Sequence, residues 1–281
     1  MRLHKQRARA GYLEAAFLHR RAADDLADRL EAVRREFASV LVMGSAALFR
    51  DALAERPQLA ERLGPIIEAD LVQGDVIIDL EALPFAPGSF DLIVSPLLLH
   101  WANDLPGALL RLRAALKPDG LMLANLIGGE SLRELRFALI EAESEIRGGA
   151  AARVSPFVEL PDLAGLVQGA GFALPAADRV SFIVRYANLF GLLRDLRAMG
   201  ETSALQERGP ALTRDVIARA AQIYAARFAD PDGRIRANFE FLCATGWAPH
   251  ENQQKPLKPG SAQTRLADAL GVKERPLNEG G

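Results

Sequence analysis

Residues 79–124, DLEALPFAPGSFDLIVSPLLLHWANDLPGALLRLRAALKPDGLMLA, leave few folds open to this chain. The runs Phe90–Leu99 and Gly120–Leu126 are short, aliphatic and bounded by turn residues, which is how a strand buried on both faces reads. Between them Leu105, Leu109, Leu112 and Leu116 fall at helical spacing, and Lys117-Pro118-Asp119-Gly120 predicts the stop of that helix. Asn103-Asp104, just before Leu105, reads as its N-cap. Strand, helix and strand of these lengths predict a right-handed crossover in a parallel sheet, so the chain is read as α/β. Ligands of such sheets sit beyond the carboxyl ends of the strands. The first of the two strands delivers Ser95-Pro96-Leu97-Leu98-Leu99-His100-Trp101 to that end.

Composition narrows the function. A chain of 281 residues suits one large domain, or one domain with a substantial insertion. Its formal charge of −2 gives no reason to expect nucleic acid as a partner. No apolar run approaches the roughly 18–20 residues of a membrane span. Cys243 is the single cysteine, which excludes an internal disulfide and any multi-cysteine zinc site, and His4, His19, His100 and His250 lack metal-ligand spacing. A reducing, cytoplasmic setting is the expectation. The amino terminus carries Arg2, Lys5, Arg7, Arg9, Arg20 and Arg21 against Glu14. Tyr12, Leu13, Phe17, Leu18, Leu26 and Leu30 continue a helical pattern through it, so residues 1–36 are read as capping helices with a solvated basic face.

Taken in order, Phe37–Met43 predicts a buried strand and Gly44-Ser45-Ala46-Ala47 a turn into a helix through Leu53. A strand–turn–helix start offers backbone N–H groups to a ligand, although a lone Gly44 is equally explained by a tight turn. Ile66–Asp70 and Val76–Asp79 predict two further strands ending in acids. Asp70 stands where such folds hold a ribose, and reads as well as an exposed cap. Gly128-Gly129-Glu130-Ser131 leads to a helix over Leu132–Arg147 whose Glu134, Glu141, Glu143 and Glu145 read as a solvated stripe. Helices over Pro161–Gly169, Asn188–Met199 and Thr213–Phe228 and strands over Ala177–Arg185 and Phe239–Ala244 follow. The expected organisation is a domain over 37–249 with a mostly helical insertion at about 128–228, then a polar, proline-rich tail over 250–281 containing Lys255 and Lys258.

The stretch LPFAPGSFDLIVSPLLLHWANDLPGAL, with KPDG before the next strand, resembles the S-adenosylmethionine-dependent methyltransferases. The likeness is to the branch of the malonyl carrier-protein O-methyltransferase of biotin synthesis and, more closely, to bacterial relatives of the methyltransferase-like assembly factor of respiratory complex I. GGESLRELR, RVSPF, DLRAMGET and GWAPHENQQKPLKPGSA extend it over nearly the whole chain. The resemblance implies a Rossmann-like class I methyltransferase sheet with helices on both faces. It implies S-adenosyl-L-methionine as cofactor, a carboxylate or protein side chain as methyl acceptor, and an acyl carrier or protein client as partner. Carried over by position, Gly44 and Ser45 would lie under the methionine of the cofactor, Asp70 on its ribose, and Asp79 with Leu80 beside its adenine. Ser95 to Leu97 would line the methionine side, with His100 and Trp101 at the cofactor–substrate mouth.

One departure from the family pattern bears on activity. Members generally carry a first-strand turn like LDLGCGRG, whereas this chain has LVMGSAAL, with Val42 for the acid and Ala46 and Leu48 for two glycines. A β-carbon at each former glycine intrudes where backbone approaches a ligand, and the lost acid removes a hydrogen-bond partner. A second reading therefore stands beside the enzyme: a client-binding maturation factor, hydroxylase-like or non-catalytic, with a degenerate cofactor site. Methyl transfer from a sulfonium is an in-line displacement that rests on alignment, so the lack of a triad is compatible with it. His100 is the candidate to orient or deprotonate a nucleophile, since imidazole titrates near working pH; plugging the strand end is its alternative role. The absence of a G-x-G-x-x-G turn disfavours a nicotinamide cofactor.

Overall fold

A computed structural model describes residues 2–8, 10–205 and 209–253. The chain divides into two units, Met1–Pro249 and His250–Gly281. Of the second unit, His250 to Gln253 form a short turn closed by the His250 backbone N–H on Gln253 Oε1. The expected tail, with Lys255 and Lys258, otherwise lies outside the described residues, as do Met1 and Arg9 of the basic amino terminus.

In the first unit three helices, α1 (Arg2–Ala8), α2 (Tyr12–Ala15) and α3 (Phe17–Glu31), precede β1 (Val40–Met43). Then come α4 (Ala46–Ala54), α5 (Pro57–Ala60), β2 (Ile66–Asp70), β3 (Val76–Ile77) and β4 (Phe90–Pro96). A single 3-10 turn over Leu99–Trp101 leads to α6 (Leu105–Ala115) and β5 (Leu116–Ile127). The remainder is α7 (Arg133–Arg147), α8 (Leu160–Gly169), β6 (Ala173–Tyr186), α9 (Leu189–Ala198), α10 (Arg214–Phe228) and β7 (Ile235–Trp247).

The seven strands form one sheet in the order β3-β2-β1-β4-β5-β7-β6. Strands β1 to β5 are parallel, and β7 lies antiparallel between β5 and β6. The central strands carry apolar residues at successive positions, Val40–Met43, Leu92–Val94 and Leu121–Ala124, because alternate residues feed two different layers. Leu41, Met43, Ile93 and Met122 pack with Leu109 and Leu112 of α6 and Leu163 and Val167 of α8. Val40, Val42, Leu92 and Val94 pack with Leu26 and Leu30 of α3 and Phe49 of α4. A third layer forms where α7, α9 and α10 close on Phe239 and Phe241 of β7.

The predicted crossover β4–α6–β5 is present, with Asp104 capping α6 by accepting from the Gly107 N–H. Lys117–Gly120 is less a separate turn than an irregularity inside β5. Leu116 already pairs with Phe90, Asp119 then takes a left-handed φ of 62°, and pairing resumes at Leu121 with Leu92. The insertion at about 128–228 is helical except for β6, fourteen residues on the sheet edge that extend the predicted strand at both ends. The acidic stripe of α7 is corrected by the structure. Glu134 and Glu143 are buried, the first accepting from Asn238 and the second holding Arg147 and Arg153. Glu145 alone of the four pairs at the surface with Arg219.

Candidate functional site

Several residues singled out in the sequence meet at the carboxyl edge of the parallel strands. Gly44 leaves β1 with φ of 75° and Ser45 follows at 47°, so two consecutive left-handed residues turn the chain into α4. The Gly44 N–H donates to Ala69 O, and the Ile78 N–H to Asp70 O, which ties the ends of β1, β2 and β3 together. A β-carbon on Gly44 would stand 3.0 Å from Leu98 Cβ, so glycine is required both for its φ and for close packing. Asp70 Oδ1 accepts from the Val72 N–H, and burial raises the carboxyl above its ordinary range. Asp79 Oδ1 accepts from the Glu81 N–H, while its second oxygen faces the exposed side. Leu80, by contrast, turns into the core below. Ser95 is fully buried on β4 and its hydroxyl has no partner among the described residues.

The amino-terminal helices lie over this edge. Arg2 donates to Ile78 O and stands 3.9 Å from the Asp79 carboxylate. The Tyr12 hydroxyl is 2.7 Å from Ser45 Oγ. Burial raises the Tyr12 phenol well above its usual range, so it remains a neutral hydroxyl.

Sequence reading missed Glu201, which organises the other side of the site. It follows α9 after Gly200, whose φ of 75° and lack of a side chain let α1 approach within contact distance at Lys5 and Ala8. Glu201 Oε1 receives Lys5 Nζ at 2.5 Å and His19 Nε2 at 3.1 Å, and Oε2 receives His100 Nε2 at 3.2 Å. Burial works against its ionisation, but Lys5, then His100 and His19, outweigh it and hold the carboxyl well below the ordinary range. An ionised carboxylate only accepts, so both histidines carry hydrogen on Nε2. Their Nδ1 atoms are both buried with no partner among the described residues. Burial, helped by the Lys5 charge, lowers the pKa of His19 to about 4. The one sequence signal for Glu201 was a Gly-Glu-Thr closing an amphipathic helix within DLRAMGET.

His100 and Trp101 border a cavity of about 620 Å³ between the sheet end and the helical insertion. Leu135 and Leu139 of α7, Leu189, Leu193 and Leu196 of α9, and Phe239 of β7 are among its apolar lining. The Trp101 indole N–H is buried too, with no partner among the described residues. Gly44, Asp70 and Asp79 lie outside this cavity. Leu97, with a left-handed φ of 48°, packs toward α7 and α9, whereas Leu98 lies under Gly44. Leu97 thus reaches the insertion rather than the strand-end cluster.

The strand-end residues fit a ligand built from an amino acid and a nucleoside. Two carboxylates on successive strands suit ribose and base donors, and the orphaned Ser95 hydroxyl has hydrogen bonds to give and take. The turn departs from that fit at Val42 and Leu48, both fully buried in the α3–α4 layer. No group of three or more acidic, histidine or cysteine side chains suited to a metal occurs among the described residues, and no helix there is long and apolar enough to cross a membrane.

A parallel sheet closed by an antiparallel β7 in the order 3-2-1-4-5-7-6, with acids at the ends of its second and third strands, defines the class I methyltransferase fold. Comparison with known proteins agrees. The family model described as a methyltransferase domain matches residues 50–124. Arginine-hydroxylase NDUFAF5 of Danio rerio is 42% identical over 200 residues, covering 71% of this chain and 62% of that protein. Its Homo sapiens counterpart is 35% identical over 265 residues, covering 90% and 76%. Malonyl-[acyl-carrier protein] O-methyltransferase of Halorhodospira halophila is 33% identical over 278 residues, covering 94% and 91%. Among solved structures, the YcgJ protein of Bacillus subtilis superposes with a TM-score of 0.52 at 16% identity, over 80% of this chain and 98% of that one, a likeness of fold. The chain belongs to the S-adenosylmethionine-dependent methyltransferase family, in the group that holds both the NDUFAF5 proteins and the malonyl carrier-protein methyltransferases.

Proposed function

We propose that this protein is an S-adenosylmethionine-dependent methyltransferase, with its cofactor across the carboxyl ends of β1 to β4 and its acceptor in the cavity behind His100. The acceptor is a carboxylate or a protein side chain, brought by an acyl carrier or a protein client, in keeping with the relatives' names. The observation that carries this reading is the segment Leu97–Trp101. One part of it supports the Gly44 turn, and the other presents His100 and Trp101 to an apolar cavity. In-line transfer requires the acceptor to meet the methyl carbon directly, so the two ligands would meet at the His100–Trp101 end of this segment.

Asp79 would hold the base and Asp70 the ribose, while Gly44, Ser45 and Ser95 would receive the amino-acid end. When bound, the cofactor supplies an electrophilic methyl group. The protein's own part is alignment, exclusion of water by the leucine walls, and acceptance of a proton at His100 Nδ1, with the tautomer fixed by Glu201.

A second reading is supported by Val42 and Leu48. Both are buried in the apolar layer behind the turn, where the family pattern has an acid and a glycine. A client-binding maturation factor would keep the fold and the cavity without the cofactor, and several relatives carry the name of a hydroxylase. Thermal unfolding with S-adenosylmethionine and S-adenosylhomocysteine decides between them. Ligand at ~100 times its dissociation constant stabilises by about 2.7 kcal/mol, roughly 5–10 °C here. The methyltransferase reading expects that shift in the parent chain and its loss in Asp79→Ala. No shift with either ligand would support the maturation factor.

A further inference from the structure

We propose that the cavity behind His100 takes a molecule with an aliphatic chain and an oxygen head group, of the fatty alcohol or fatty acid class. This deepens the acceptor assignment above and rests on it. Size is the first argument. At about 30 Å³ for each non-hydrogen atom, 620 Å³ has room for on the order of twenty. A malonyl group would fill only about a third of that space. The remainder is lined mainly by apolar side chains, Leu135, Leu139, Leu189, Leu193, Leu196 and Phe239 among them, which favour methylenes, with Ser131, Ser155, Thr202 and Ser203 also on the lining.

Charge is the second argument. Among the described residues lining the cavity, Glu201 is the one carboxylate, and Lys5, His19 and His100 already engage it. Among the described lining residues a guanidinium or ammonium entering here would find no unengaged carboxylate, at a cost that burial makes large. The cations of the wall do not oppose an oxygen head. Arg153 is tied to Glu143, and Arg197 is exposed at the rim.

The third argument is the polar end. His100 Nδ1 and Trp101 Nε1 are both buried with no partner among the described residues; in the neutral ring with Nε2 donating to Glu201, Nδ1 is an acceptor, and the indole is a donor. A hydroxyl or a protonated carboxyl both donates and accepts, and so satisfies one atom of each kind. An ionised carboxylate satisfies the indole alone. The chain then extends from this end along α7 and α9, with the reacting oxygen at His100 and Trp101.

The test is calorimetric titration of the full-length protein, with and without S-adenosylhomocysteine. Two homologous series serve as probes: straight-chain alcohols from butanol to eicosanol, and straight-chain acids from butanoate to eicosanoate, so that the longest members exceed the cavity's capacity. Affinity is expected to rise about fourfold for each added methylene until the cavity is full. Leu193→Trp, which fills part of the wall, moves that limit to shorter chains. Leu139→Phe serves the same purpose should the first variant fail to fold, as judged by thermal unfolding. His100→Gln weakens every bound member by one common factor and leaves the slope per methylene intact. The alcohol and acid arms tell a neutral head from an anionic one. Flat affinities in both series, or a limit that a folded filling variant leaves unmoved, would overturn the proposal. Loss of S-adenosylhomocysteine binding with the chain-length slope preserved would instead remove the methyltransferase reading and leave the chain-binding cavity standing.

Discussion

Replacing Glu201 with Gln keeps the side chain's shape and removes the charge that Lys5, His19 and His100 share. Lys5 is only 11% exposed and Glu201 12%, so an ammonium would be left in the interior with no counter-charge. Breaking a buried pair from one side costs about 3–5 kcal/mol. At about 2–4 °C per kcal/mol for a chain of this size, the melting temperature would fall by ~6–20 °C. The loss is capped by another route, because α1 is a seven-residue helix that can undock and return Lys5 to water. The assay is a double-mutant cycle with Lys5→Met, read by urea unfolding near neutral pH. With Met in place of Lys5 the stranded cation is gone, and Glu201→Gln should cost at least about 2 kcal/mol less than in the parent. If the two substitutions add within about 0.5 kcal/mol, Lys5 and Glu201 are not energetically coupled and the reasoning fails. Protease sensitivity at the amino terminus separates undocking of α1 from a uniform loss of stability.

Acid should also weaken the fold through His19. Its folded pKa is depressed to about 4 from the ordinary 6.5, so its stabilising contribution is complete above about 6.5 and is lost as pH falls toward 4. The shift corresponds to about 3 kcal/mol, and the slope of unfolding free energy against pH in that window should flatten in His19→Gln. Asp91 accepts from the Ser39 N–H and hydroxyl and from Lys117, which overcome its burial and hold its carboxyl below the ordinary range. Asp91→Ala should cost about 1.5–3 kcal/mol in urea unfolding, and the parent's margin should shrink as pH falls through the depressed pKa. Val42→Asp restores the residue type of the family pattern but places a carboxylate in an apolar layer. It should destabilise by about 3 kcal/mol or more without creating a thermal shift with S-adenosylhomocysteine larger than the parent's.

The crossover was legible because its signals were local: leucines at helical spacing over α6, the Asp104 cap, and aliphatic runs for β4 and β5. The acids Asp70 and Asp79 stood out because they close the short runs Ile66–Ala69 and Val76–Ile78 at β2 and β3. The antiparallel seat of β7 between β5 and β6 was not legible, since strand order is decided by which layers the strands must share rather than by the strand's own residues. Glu143 of α7 shows the same limit, because charge pattern on a helix does not reveal that two arginines wait in the interior. Glu201 is the extreme case. Its partners stand 196, 182 and 101 residues away, and each is an ordinary surface-type residue until the fold brings them together.

The central seat of β7 has a consequence for how the chain is made. Until Ile235–Trp247 emerges, β5 presents a seven-residue edge, Leu121–Ile127, that is apolar but for Asn125 and, in the finished fold, buried throughout. Such an unpaired edge is a template for a second nascent chain. About 120 residues separate the end of β5 from the end of β7, which at cellular synthesis rates is on the order of ten seconds of exposure. Chaperone occupancy of ribosome-bound chains should therefore peak after residue 127 and fall once β7 has cleared the exit tunnel.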